Sequence, residues 1–119
     1  MSLEASVRYE GDIAVLDLAG RIVLNDGSAT MREAIAKLRE AGSTKILLNL
    51  AGVSFMDSSG LGELASAFSA TAKAGGQLKL VNIPARIVDL LRITKLDTVL
   101  TAFPSEPAAL ASFASGAGA

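Results

Sequence analysis

Short apolar runs alternate along this chain with stretches of helical period, and that order dictates how a sheet can form. Lys45-Ile46-Leu47-Leu48-Asn49-Leu50 is short and almost uniformly apolar, the pattern of a buried strand. Behind it Leu61, Leu64, Ala65, Phe68 and Ala72 share one face of a helix that Gly75-Gly76 ends, and Gln77 to Val81 is again a strand. A strand, a helix and a further strand close as a right-handed parallel crossover. Upstream, residues 3–10 and 12–19 read as a hairpin turning at Glu10-Gly11-Asp12, with Gly20 ending its second strand. Asn25-Asp26-Gly27-Ser28 is a turn into a first helix, in which Met31, Ala34, Ile35 and Leu38 line one face until Ala41-Gly42-Ser43. Thr30 with Glu33 fits a capping box there, and Asp26 and Ser28 are rival caps.

Residues 51–55 read as a loop. Pro84 suits the first turn of a third helix running through Ile87, Leu90 and Leu91. Residues 98–103 suit a last strand, and Pro104 and Pro107 precede a final helix holding Leu110 and Phe113. The order β-β-α-β-α-β-α-β-α predicts an α/β fold, a mixed sheet of roughly four to five strands with about four helices packed on it. One domain is expected over residues 1–113, and the Ala/Gly/Ser-rich residues 114–119 read as a flexible tail. Met31, Phe55, Met56, Phe68 and Phe103 read as core rather than ligand-binding residues, and Arg86, Arg92 and Lys95 as a solvated face.

Composition narrows the chemistry. The 119 residues include no histidine and no cysteine. Ser-His-Asp and Cys-His nucleophiles, Cys/His zinc sites and disulfides are thereby excluded within this chain. Asp12, Asp17 and Asn49 do not form a metal-binding pattern, so neither a metal nor a cofactor is expected. Eleven basic residues balance twelve acidic ones, and aromatics are 4% with no tryptophan, which argues against nucleic acid as a partner. The N-terminus has neither the basic flank nor the apolar stretch of a secretory signal, and no run approaches the ~18–20 apolar residues of a membrane span. The expected setting is the cytoplasm, with no direct membrane binding.

Met56-Asp57-Ser58-Ser59-Gly60-Leu61-Gly62 stands where a buried strand passes into a helix, the end of an α/β sheet that carries sites. Two glycines in a first turn each cost about 1 kcal/mol relative to alanine, so helix formation does not call for them. Two explanations fit the residues. Asp57, Ser58 or Ser59 caps the helix while the glycines let it pack closely. Alternatively a serine here accepts a phosphate, at the positive end of a helix dipole.

Asn49-Leu50 followed by Val53-Ser54-Phe55-Met56-Asp57-Ser58-Ser59-Gly60-Leu61-Gly62 resembles the signature of STAS domains, above all the bacterial anti-sigma factor antagonists. Gly20, the Gly75-Gly76 turn, the strand at Leu78 to Val81 and residues 84–91 also match, so the resemblance covers residues 5–113. It implies a partner-switching binding protein and not an enzyme. Such a protein sequesters an anti-sigma factor serine kinase and so frees a sigma factor. The kinase phosphorylates it and the complex dissociates; a serine phosphatase restores it. Carried onto this chain, the phosphoacceptor is Ser58, with Ser59 as fallback. Asp57, Ser58, Ser59, Gly60, Leu61, Gly62 and Asp26 form the partner-binding set, in which Asp57 positions the serine loop or touches the kinase.

One position departs from the family. Many antagonists carry an acidic residue three positions after the glycine matched by Gly20, where this chain has Val23, and Asp26 is the carboxylate nearest to that place. The departure keeps a second reading open, a non-catalytic STAS accessory subunit of a stress-sensing complex or a membrane transporter. A phosphoaspartate receiver domain is disfavoured, because Ala19-Gly20-Arg21 follows the early strand where its metal-holding carboxylates belong. The G-x-x-x-x-G-K-[ST] and G-x-S-x-G patterns of nucleotide-binding and hydrolytic enzymes are absent.

Overall fold

In a computed structural model, which describes residues 3–117 and side chains as far as Phe113, the alternation builds a five-stranded sheet. Strands β1 (Glu4–Glu10) and β2 (Ile13–Ile22) form the antiparallel hairpin. Helix α1 (Ser28–Glu40) leads to β3 (Lys45–Met56), α2 (Ser58–Lys73) to β4 (Gln77–Val81), and α3 (Ala85–Ile93) through a 3₁₀ turn (Leu96–Thr98) to β5 (Ala102–Phe103). Helix α4 (Glu106–Ala117) follows. The strands lie in chain order, with β2 to β5 mutually parallel, so α1, α2 and α3 are each a crossover between neighbours.

Several boundaries differ from the sequence expectation, and the longest shift shapes the site. Gly20 does not end β2, and residues 51–55 are not a loop. Both strands continue, pairing Ala19 with Gly52, Gly20 with Val53 and Ile22 with Met56 across two register irregularities. Gly20, at φ 119°, supplies the backbone bend that an alternation pattern hides. Neither Thr30, Asp26 nor Ser28 caps α1; Gly27 occupies that position with no side-chain hydrogen bond. Pro84 is the N-cap residue of α3 rather than part of its first turn. The last strand shrinks to Ala102–Phe103, because Leu96–Thr98 coils into the 3₁₀ turn. Helix α4 runs to Ala117, four residues into the segment read as a tail; Gly118 and Ala119 lie outside the described residues.

The period-two pattern of the strands resolves into two cores. Leu16, Leu48 and Leu80 face α1, α2 and α3, where Met31, Ile35 and Leu64 are fully buried against them. Val15, Leu47 and Val81 face the opposite way and are covered by Ala109 and Phe113 of α4. Each such side chain contributes on the order of 1.5–3 kcal/mol relative to exposure. Phe68 and Phe103 pack partly buried against these cores, whereas Phe55 does not join either and stays 40% exposed.

Beside the α4 core the same sheet face turns polar. Asp17 receives two hydrogen bonds from the Arg8 guanidinium, at 2.7 and 3.1 Å, and one from Asn49 Nδ2 at 2.8 Å. Arg8 also pairs with both carboxylate oxygens of Glu106 at the start of α4. Asn49 Oδ1 accepts from the Ala51 amide and from Asn82 Nδ2, so this residue serves the polar face and the backbone at once. The row ties β1, β2 and β3 to α4. Arg8 holds the Asp17 and Glu106 carboxyls below their ordinary values, chiefly through these hydrogen bonds.

A lowered carboxyl pKa contributes stability that is complete above the unfolded value and is lost as pH falls through the folded one. The attachment of α4 is therefore expected to weaken below the ordinary carboxyl values of 3.8 and 4.5. Arg8→Ala should cost about 1 kcal/mol at neutral pH, because the partly exposed guanidinium is screened by solvent. It should also flatten the acid limb of stability, as read by urea denaturation across that range.

Candidate functional site

The prolonged ends of β2 and β3 bring three segments together: the turn after β2, the end of β3 and the start of α2. Asp57 leaves β3 in an extended conformation (φ −104°, ψ −173°), its amide donating to the Ile22 carbonyl at 3.2 Å. Its carboxylate then caps α2. One oxygen accepts from the Gly60 amide at 3.0 Å and the other from the Leu24 amide at 3.0 Å. Those backbone donors, Gly60 first, hold the Asp57 carboxyl below its ordinary value. The capping explanation is thus met by Asp57, which also clamps the start of α2 to the turn after β2.

That turn is narrow. Val23 and Asp26 exchange backbone hydrogen bonds of 3.0 Å in both directions, and Asn25 adopts φ 64° between them. Asparagine tolerates this left-handed conformation better than most residues. The turn leaves Leu24 65% exposed, and places Asp26 directly across from Val23. Phe55 lies on the neighbouring strand end with the Arg21 guanidinium 5.7 Å from its ring centre. The sequence reading missed Leu24 and Phe55. An apolar residue inside the polar turn Val23-Leu24-Asn25-Asp26 was the available signal for the first; the irregular register concealed the second.

The remaining residues of the segment divide by orientation. Ser58 is the first residue of α2 and is exposed; Ser59 is half-buried. Gly62 is exposed, with open space where a Cβ would stand. Gly60 and Leu61 turn inward and are buried. A Cβ on Gly60 would stand 2.6 Å from the Ile22 carbonyl oxygen and 2.7 Å from Met56 Cγ. The glycine is there so that α2 can rest on the backbone of β2. Among the described residues no cluster of three or more potential ligands could hold a metal ion. What the site offers is an accessible hydroxyl beside an anchored carboxylate, framed by a turn with an apolar tip.

Residues 4–109 match the STAS domain family. The chain is 36% identical over 101 residues to a Bacillus subtilis (strain 168) protein named anti-sigma-B factor antagonist, covering 84% of this chain and 90% of that one. It shares its fold with an anti-sigma factor antagonist from Mycobacterium paratuberculosis, at a TM-score of 0.83 and 20% identity with 94% of each chain covered. The Bacillus cell fate determinant SpoIIAA in its phosphorylated form has the same fold, at a TM-score of 0.67 and 21% identity over 88% of this chain and 96% of that one.

The two glycines of the first turn make opposite predictions. Gly60→Ala should destabilise the protein by about 1–3 kcal/mol, since the neighbouring carbonyl cannot step aside without moving β2. Gly62→Ala should leave stability unchanged or raise it by up to ~1 kcal/mol through helix propensity. Chemical denaturation of the two variants checks both.

Proposed function

Since the chain belongs to the STAS domain family, we propose that it is an anti-sigma factor antagonist whose grip on an anti-sigma factor serine kinase is switched by phosphorylation of Ser58. The observation that carries this reading is the Ser58 hydroxyl, exposed at the first position of α2 and directly after the capping Asp57. The name of the Bacillus subtilis relative and the phosphorylated form of SpoIIAA support it.

On this reading the unphosphorylated protein docks through Ser58, Ser59, the open surface at Gly62 and the Asp26 turn. Asp57 acts from behind, as the residue that holds the serine and the turn in register. Sequestering the kinase frees a sigma factor. The protein contributes no catalysis of its own: the kinase brings ATP, metal and base, and transfers the phosphoryl group to the serine oxygen. A phosphoserine adds ~1.5–2 negative charges. Placed beside Asp57 at the interface, that charge repels the partner's acidic groups and adds bulk, and the complex weakens. A serine phosphatase removes the group and restores binding. The reaction cycle belongs in the cytoplasm, where sigma factors act; no described helix is long and apolar enough to cross a membrane.

The test is phosphate transfer from labelled ATP by a purified anti-sigma factor kinase, with binding measured in parallel. Transfer is expected to the unaltered protein and to Ser59→Ala, and none to Ser58→Ala, which should still bind. Ser58→Asp should bind at least about tenfold more weakly, equivalent to ~1.4 kcal/mol. Undiminished transfer to Ser58→Ala would overturn the assignment and move it to Ser59. Failure to bind any such kinase would overturn the function itself and leave the accessory-subunit role.

A further inference from the structure

The sheet has two edges, and they are unequal. The β5 edge is only two residues long, Ala102–Phe103. The β1 edge runs for seven residues with regular pairing to β2 on its inner side and, among the described residues, no neighbouring strand on its outer side. An exposed edge of this length presents a row of backbone donors and acceptors suited to receiving another strand. Natural edges are blunted by charged side chains, bulges, proline or brevity; β1 carries the charged Glu4, Arg8 and Glu10 but has no bulge and no proline and runs for its full seven residues.

The two faces of β1 differ in chemistry. Val7 lies opposite Leu16 and Tyr9 opposite Ala14, on the side of α1, and they are 45% and 58% exposed. With Ala5, Ala34 and Leu38, Val7 lines the apolar part of a groove of about 350 Å³ between β1 and α1, which Glu33 and Lys37, opposite in charge, also line. The other face carries Glu4, Arg8 and Glu10. Its Arg8 is already engaged by Asp17, Glu106 and Glu10. Asp12 beside this face is paired with Lys45 and adds no net charge, so the acidity comes from Glu4, Glu10, Asp17 and Glu106 gathered about the single cation Arg8. The edge is therefore apolar on one side and acidic on the other.

We infer that the β1 edge receives an extended segment of a partner protein, whose side chains alternate between apolar and basic. Backbone pairing to β1 supplies the affinity, the groove beside Val7 takes the apolar side chains, and Glu4 and Glu10 take the cations. A second copy of this chain fits less well. Antiparallel pairing centred on Val7 sets Glu4 against Glu10, and pairing centred on Arg8 sets two guanidinium groups together. Pairing centred on Ser6 brings a further carboxylate to an Arg8 that already has three. The inference does not depend on phosphorylation at Ser58.

A labelled heptapeptide Lys-Val-Lys-Val-Lys-Val-Lys is the probe, followed on the full chain by amide chemical shifts and by fluorescence anisotropy. Binding is expected to shift the amides of residues 4–10 and to slow their hydrogen exchange. It should weaken as salt rises. Combined Glu4→Lys and Glu10→Lys substitutions, on exposed positions that leave the core intact, should lower affinity at least about tenfold, or ~1.4 kcal/mol. Methylating alternate peptide amides should abolish binding. Equal binding of the Glu-Val counterpart, shifts away from β1, or indifference to amide methylation would overturn the proposal. Concentration-dependent dimerisation through β1 would also overturn it, by making a second copy the occupant.

Discussion

The site rests on one close approach of two backbones. At Gly60 no Cβ fits between α2 and the Ile22 carbonyl, so the helix begins directly on the end of β2. The Asp57 amide bonds to that same carbonyl, while its carboxylate reaches Gly60 on one side and Leu24 on the other. Strand end, turn and helix start are thus fixed by a single residue pair and a single cap. Ser58 is outward because Gly60, two positions later and so on the opposite side of the helix, must face inward. Its accessibility follows from packing on the opposite side of the same helical turn.

The second sheet face shows what holds the frame behind the site. Three helices cover one face, but α4 alone covers the other. A single helix cannot cover the whole face, and the strands accordingly change from Val15 and Leu47 to Asp17 and Asn49 along their length. The polar row meets its own hydrogen-bonding needs, Asp17 with Arg8 and Asn49, Asn49 with Ala51 and Asn82. Buried polar groups left unpaired would cost about 1–3 kcal/mol each. Lys79 repeats the logic near Phe113. Its ammonium lies 4.6 Å from the ring centre and bonds to Ser112, and desolvation there lowers its pKa.

Element type was legible wherever the apolar period was clean. Met31, Ile35 and Leu38 marked the inner face of α1, and residues 58–73 form the helix their spacing implied. The motif was legible too, because the Asp-Ser-Ser-Gly-Leu-Gly run follows a buried strand. Boundaries failed where tertiary contact overrode local signals. Gly20 looks like a strand end and residues 51–55 like a loop, yet both lie in paired strands whose register slips around them. Thr30 and Glu33 look like a cap, yet the chain enters α1 through Gly27 at φ 109°, pressed against Arg21. The strand pairing that decides the first case joins residues about 33 apart in sequence, as Ala19 with Gly52, beyond any local pattern.

The geometry also bears on how a phosphate at Ser58 would act under the proposed function. Helix starts commonly neutralise anions through free amides. Here the Gly60 amide is already taken by Asp57, and the Leu24 amide is taken by the same carboxylate. A phosphoryl group on the neighbouring exposed hydroxyl would therefore add its charge beside an existing anion that already holds these two amides. On that proposal the charge stands at the surface, next to the cap that holds the Leu24 turn, where an approaching partner must desolvate it. Under the proposed function, a chain with no histidine or cysteine would serve as a switch by exposing a hydroxyl next to a carboxylate that its own backbone has already claimed.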